Sequence, residues 1–310
     1  MPGRPIAVLD APSNLGLRPP RPGAEPGVRY LSAALRELDL VGRLGAADAG
    51  RIEVPAYSPE PDPITGFRNG PAIRTVTVAL AAEIGSLLER GSFPFVLGGD
   101  CSIVLGALLA LRRRGRYGLA FIDGHDDYSW AKDYDRYAGL FAAAGLDLGL
   151  VTGHGPDALC DIDGLRPYVR EIDIVHLGLQ RDPEDLEFFD VAKFDDSAIT
   201  RFTAAEIRSG DASRIAAQAR DHLETVRAVP GFWIHLDADV LHSDVMPAVD
   251  SPNPNGISFA ELEAILGTLL ASPRATGMHV SIYDPELDPE RTVAKALADA
   301  LIGAFERAGI

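Results

Sequence analysis

The feature that most constrains this chain is its rhythm. Short, almost uninterrupted apolar runs fall at Ile6–Leu9, Phe93–Leu97, Gly118–Ile122, Ile172–Leu177, Phe232–Leu236 and Met278–Ile282. Longer segments with helical character lie between them, at Val28–Leu44, Arg74–Arg90, Ile103–Arg114, Arg214–Val229, Phe259–Ala271 and Glu290–Ala308. A strand that is apolar on successive residues has both faces covered, which is the signature of a parallel sheet. Strand-then-helix alternation therefore predicts an α/β fold with a mainly parallel sheet, in one domain over residues 1–310. In Arg74–Arg90 the residues Val76, Leu80, Ile84, Leu87 and Leu88 recur at helical spacing. Ser258 with Glu261 forms a capping-box signature before Phe259. Asn14–Glu25, rich in Pro, Gly and Arg, reads as a surface loop. Asp127–Gly164 reads as mixed loop and helix.

Charge and cysteine content exclude several classes. The 45 Asp and Glu outnumber the 29 Lys and Arg for a net charge of −16, which opposes nucleic-acid binding and suits a cationic small molecule. Cys101 and Cys160 are too few for a disulfide framework. No run of about 18 apolar residues predicts a membrane span. Ile6–Leu9 is too short for a signal-peptide core, so a cytoplasmic protein is expected.

In an open parallel sheet ligands bind beyond the carboxyl ends of the strands, and three such ends carry acids or a thiol. The first reads Asp123-Gly124-His125-Asp126-Asp127; in extended backbone Asp123, His125 and Asp127 share one face and Asp126 takes the other. The second reads Asp237-Ala238-Asp239. The third, Gly98-Gly99-Asp100-Cys101-Ser102, uses glycines for a tight turn and sets Cys101 near a helix N-terminus, where the dipole favours a thiolate. Each alone has a plainer reading: a solvated loop, a turn, a small buried cysteine. Carboxylates gathered at several ends of one sheet repel unless a cation compensates them. Two divalent ions with bridging carboxylates would do so, and would activate a water.

These three motifs resemble the metal-binding motifs of the ureohydrolase family, which includes arginase, agmatinase and formimidoylglutamase. Ala11-Pro12, Gly27-Val28-Arg29-Tyr30-Leu31 and Met246–Pro252 add to the likeness. The resemblance implies a three-layer α/β/α arginase-like fold, a homo-oligomer and a dinuclear manganese site. Its metal ligands would be Cys101, Asp123, His125, Asp127, Asp237 and Asp239, with Asp123 and Asp237 bridging. Asp127 would also orient the attacking hydroxide. Asp100 would be a structural hydrogen-bonding residue.

The departures matter as much. Cys101 stands where arginases and agmatinases usually carry His. A thiolate is softer and would shift preference toward zinc. Four carboxylates and a thiolate also exceed the charge of two divalent ions, so the bound water should ionise less readily. The alternative is a protonated Cys101 beside a weak or empty site. Ala144 occupies the place of the family's proton-shuttle His; His154 is the candidate substitute, a surface-loop His the alternative. Ile282 takes the place of the guanidinium-binding Glu, for which Glu286 or Asp288 are candidates. Asp250 and Ser251 are the remaining substrate-binding candidates, and His242-Ser243 replaces a common Asp-Pro. The resulting expectation is metal-dependent hydrolysis of a linear amidine or guanidine, with hydroxyguanidines included because lower basicity relaxes the need for the missing Glu. The alternative is a catalytically weak or non-catalytic protein of the same fold. A deacetylase shares the fold but matches the Asp-rich motifs less well.

Overall fold

A computed structural model describes residues 4–130, 142–181 and 183–310. Eight strands form one sheet in the order β2-β1-β3-β8-β7-β4-β5-β6, every pair parallel. They are β1 Ile6–Asp10, β2 Ala47–Arg51, β3 Phe93–Leu97, β4 Gly118–Ile122, β5 Ile174–Leu179, β6 Thr200–Thr203, β7 Phe232–Asp237 and β8 Ala275–Ser281. Six match the apolar runs, although β5 starts two residues later than Ile172. The other two, β2 and β6, are the sheet edges. Ala-Asp-Ala-Gly-Arg and Thr-Arg-Phe-Thr have no continuous apolar stretch because an edge strand is only partly covered, and short polar edges also resist unwanted pairing.

The inner strands are buried along their whole length, and their side chains sort by alternation into two cores. Ile6, Val8, Phe95, Ile122, Ile234 and Leu236 pack toward α3 Ala212–Asp221, α4 Phe259–Leu270 and α5 Thr292–Ala308. Ala7, Leu9, Val96, Phe121 and Trp233 pack toward α1 Gly70–Glu89 and α2 Val104–Arg114. The result is the three-layer α/β/α arrangement. Helix α1 is long and apolar enough to match a membrane span by length and composition alone, with a mean hydropathy of 1.3. Here one of its faces packs into the second core through Ile73, Val76, Leu80 and Ile84.

Three local expectations change. The helix expected over Val28–Leu44 is a 3-10 turn Gly27–Tyr30 and two short helices, Leu31–Glu37 and Leu40–Arg43, broken at Asp39 with φ 55°. Arg214–Val229 begins earlier, as α3, and ends in a π turn over His222–Val226. Asn14–Glu25 is no simple surface loop. Asn14 to Leu17 are buried, Asn14 Nδ2 donates to Glu25 at 3.1 Å, and Ala144 N donates to Gly16 O at 3.0 Å. Part of the stretch Asp127–Gly164 lies outside the described residues.

Candidate metal centre

The sheet delivers its chemistry at neighbouring strand ends. β3, β8, β7 and β4 are consecutive in the sheet. Cys101 follows β3, Ser281 ends β8, Asp237 ends β7 and Asp123 follows β4. The Gly98-Gly99 pair is needed for close approach rather than for turn dihedrals. A Cβ on Gly99 would lie 1.7 Å from Ser13 O, and one on Gly98 2.6 Å from Val280 O. Asp100 caps the following turn: it accepts from Ser102 N at 2.9 Å and from Ser13 Oγ at 2.6 Å.

Cys101, Asp123, His235 and Asp237 are all buried, and each places a ligand atom within 4.8 Å of the others. Asp123, His125 and Asp239 form a second such group, with His125 Nδ1 3.0 Å from Asp239 Oδ2. Cys101 Sγ donates to Asp237 Oδ2 at 2.7 Å and lies 2.9 Å from Ser281 Oγ. Asp123 Oδ1 accepts from His125 N at 2.7 Å, while its buried Oδ2 has no hydrogen-bond partner. Asp127 lines the adjoining cavity of about 440 Å³ together with His125, Asp237, Asp239, Asp250, Ser251 and Ile282.

The alternation argument for the Asp-x-His-x-Asp segment does not carry through. β4 stops at Ile122, and Asp127 has a left-handed backbone with φ 41°. Asp126, expected on the far side, also lines the cavity. Its carboxylate is spent on structure: it accepts from Ser129 Oγ at 2.8 Å and from Arg181 at 3.0 Å.

Electrostatics without a metal are unfavourable for so many anions. Burial, then Asp239, holds Asp123 and Asp237 well above the usual carboxylate range. Asp127 keeps some solvent contact, yet withdrawal from bulk water and then Asp123 raise it likewise. Asp250 opens to solvent inside the concavity, and the same withdrawal, followed by Asp239, pushes it up to about 6. The Cys101 thiol is driven well above its ordinary value by burial and next by Asp237. This reverses the thiolate expected from the helix terminus. A helix dipole contributes about 1–2 kcal/mol at best, whereas one like charge at ~4 Å costs about 4 kcal/mol even with protein screening. The donor set, its orphaned Asp123 oxygen and its clustered acids fit a divalent cation, which would displace the protons.

The family profile described as "Arginase family" matches residues 4–305. The chain belongs to the arginase family. It is 28% identical over 308 residues to an arginase of Staphylococcus aureus (strain COL), covering 97% of this chain and 96% of that one. Its fold is that of the arginase from Bacillus caldovelox, with a TM-score of 0.83, 23% identity and 98% of each chain covered. Formimidoylglutamase from Bacillus subtilis shares the fold at a TM-score of 0.72 and 16% identity, over 98% of this chain and 87% of that one. Arginase-family membership makes the protein an amidinohydrolase with a divalent-metal site.

Against that family background, the structure brings Cys101, Asp123, His125, Asp127, Asp237 and Asp239 together at the carboxyl ends of the central strands and sets Asp250 and Ser251 in the cavity wall. Ala144 and Ile282 also line the cavity. His154 and Glu286 are not brought there. His154 Nε2 lies 2.9 Å from Tyr128 Oη and 3.1 Å from Glu171. Glu286 is exposed beyond β8, its N–H donating to Asp284 at 2.9 Å. Asp288 accepts from Tyr283 Oη and from Ala294 N at the start of α5. His242 accepts from Asp244 N at 3.1 Å, outside the lining.

Asp147, His235 and Ser281 lie near the centre, and the sequence pattern alone assigned them no role. Asp147 is fully buried, and burial followed by Asp123 raises its carboxyl well above the usual range. His235 lies beneath the Asp123–Asp237 pair. Its position in β7, two residues before Asp237 and so on the same strand face, was the available signal.

Proposed function

We propose that the protein hydrolyses a C–N bond of a linear guanidine, and that its preferred substrate is a hydroxyguanidine. Cys101, Asp123, His125, Asp127, Asp237 and Asp239 would hold the metal, manganese by family and zinc by the softness of Cys101. A bound divalent ion supplies Lewis acidity for attack of water on the guanidine carbon. Asp127, on its left-handed turn in the cavity, accepts a hydrogen bond from that water and orients it. Asp250 and Ser251, which also line the cavity, hold the substrate. Ala144 moves no proton, and His154, engaged by Tyr128 and Glu171, is assigned no step.

The observation that carries the substrate choice is Ile282. It is 2% exposed, lines the cavity that Asp237 and Asp239 also line, and adopts φ 73°, a rare conformation for a β-branched residue. Its apolar side chain offers no partner to a guanidinium, and a buried cation without one is expensive. N-hydroxylation lowers guanidine basicity, so such a substrate enters uncharged more readily. The test is release of urea-type product from a hydroxyguanidine and its parent guanidine by metal-loaded enzyme. We expect kcat/KM to favour the hydroxyguanidine by at least about 10-fold, and Ile282→Glu to erase that preference. Faster cleavage of the parent guanidine by the unaltered enzyme would overturn the choice. Metal binding without hydrolysis of either would favour a non-catalytic role.

A further inference from the structure

We infer that His235 is a positioning residue, locked by Trp233 and His279 as the tautomer with its proton on Nε2, which makes it a donor to Asp123 and keeps it out of the metal shell. Strand register brings these rings together. Phe121, His235 and His279 are direct neighbours across β4, β7 and β8, with Trp233 two residues before His235. All four are buried. Gly277 lets the indole lie across β8, since a Cβ there would sit 2.2 Å from the Trp233 ring. Phe121 stacks on the His235 ring at 4.2 Å and 5°.

Donor counting then fixes the protons. An indole N–H only donates. Trp233 Nε1 gives its hydrogen to His279 Nδ1 at 2.8 Å, so that nitrogen is bare. The proton of neutral His279 is therefore on Nε2, 2.6 Å from His235 Nδ1, which must accept it. The proton of His235 is left on Nε2. That N–H lies 3.5 Å from Asp123 Oδ2, and these two buried atoms are each without a hydrogen-bond partner, so a small shift would pair them.

The opposite role would have His235 join Cys101, Asp123 and Asp237 as a ligand, and their atoms are close enough. It requires a bare Nε2, hence a proton on Nδ1 facing His279. His279 would then carry its proton on Nδ1, head-on against the indole N–H. The bond between the two imidazoles would survive with its direction reversed, but the indole bond would become a donor-to-donor clash, leaving a buried N–H without an acceptor. The one-way indole donor thus sets the polarity of the whole relay. Its product is an uncharged donor that fixes the orientation of the Asp123 carboxylate, as outer-shell groups do for metal ligands.

The inference rests on Asp123 being a metal ligand, but its test does not rest on turnover. Long-range ¹⁵N–¹H correlation of histidine-labelled protein reads the tautomer directly, in chelated and in zinc-loaded samples. In both we expect His235 protonated on Nε2 and bare on Nδ1. His235→Ala should weaken zinc binding about 10–100-fold without changing its stoichiometry. His235→Gln, whose amide keeps a donor, should recover most of that loss. Trp233→Phe should abolish the single tautomer of His235. A bare His235 Nε2 in the zinc-loaded protein, or loss of one zinc in His235→Ala, would overturn the inference. If no zinc binds at all, the metal reading fails, and the chelated spectrum alone decides whether the relay is polarised as argued.

Discussion

The floor of the centre and the wall of its cavity are built differently. Cys101, Asp123, Asp237 and Ser281 sit at or just beyond the ends of adjacent parallel strands, His235 lies two residues inside β7, and all five are buried. Their polar atoms face one another, and the relay through His279 and Trp233 extends the network into the sheet. Asp126, Asp127, Asp250 and Ser251 come from loops, keep contact with solvent, and share the wall with Leu17 and Ala144. A rigid, dry, over-acidic floor calls for a cation. A wetter, loop-built wall sets what enters. Function-altering change should therefore be drastic at the floor and graded at the wall.

The largest effect should come from the floor. Asp123→Asn removes the carboxylate shared by both candidate metal groups, and Asp237→Asn removes one from the group around Cys101. We expect each to lose more metal affinity than the 10–100-fold typical of outer-shell changes, with activity falling in step. Metal content after dialysis, measured beside circular dichroism, checks this.

A middle-sized effect should appear as pH dependence on metal removal. Asp123, Asp127, Asp147 and Asp237 have carboxyls raised in the folded, metal-free protein. Stability from such groups is fully present below their unfolded value of about 3.9 and is lost as pH rises through the folded one. The chelated protein should therefore weaken as pH rises above about 4, relative to the metal-loaded form. Buried His176 and His279, lowered to about 4 and about 3 by burial, act in the other direction. Their stabilising neutrality is lost as pH falls below about 6.5 in both forms, so it cancels in the difference. A gap in Tm between loaded and chelated protein that narrows with rising pH would contradict the assignment.

The smallest effect belongs to the wall. Asp126→Asn breaks the partly buried pair with Arg181 and loosens Ser129. A stability loss of about 1–3 kcal/mol is expected, with metal stoichiometry unchanged. Metal loss equal to that of Asp123→Asn would erase the distinction between floor and wall.

The same division explains what could be read from sequence. Floor residues follow apolar runs that had to be buried strands, so Cys101, Asp123 and Asp237 were legible from position alone. Asp127 was found for a reason that does not hold, since the strand ends five residues earlier and a left-handed turn brings it round. His235 and His279 hid inside runs that otherwise read as core, because pairing between β7 and β8 is long-range information. His154 and Glu286 were placed by proximity in sequence, and loops gave no geometric constraint to correct them. The edge strands β2 and β6 were invisible because partial exposure removes the apolar pattern.

The account turns on Cys101 exchanging its proton for a metal, and cobalt reads that exchange directly. Chelated protein titrated with Co²⁺ should develop an intense near-ultraviolet sulfur-to-metal charge-transfer band as protons are released, and Cys101→Ser should bind Co²⁺ without the band. Stoichiometric cobalt binding to the unaltered protein with no such band would show that Cys101 remains a protonated thiol and is not part of the centre.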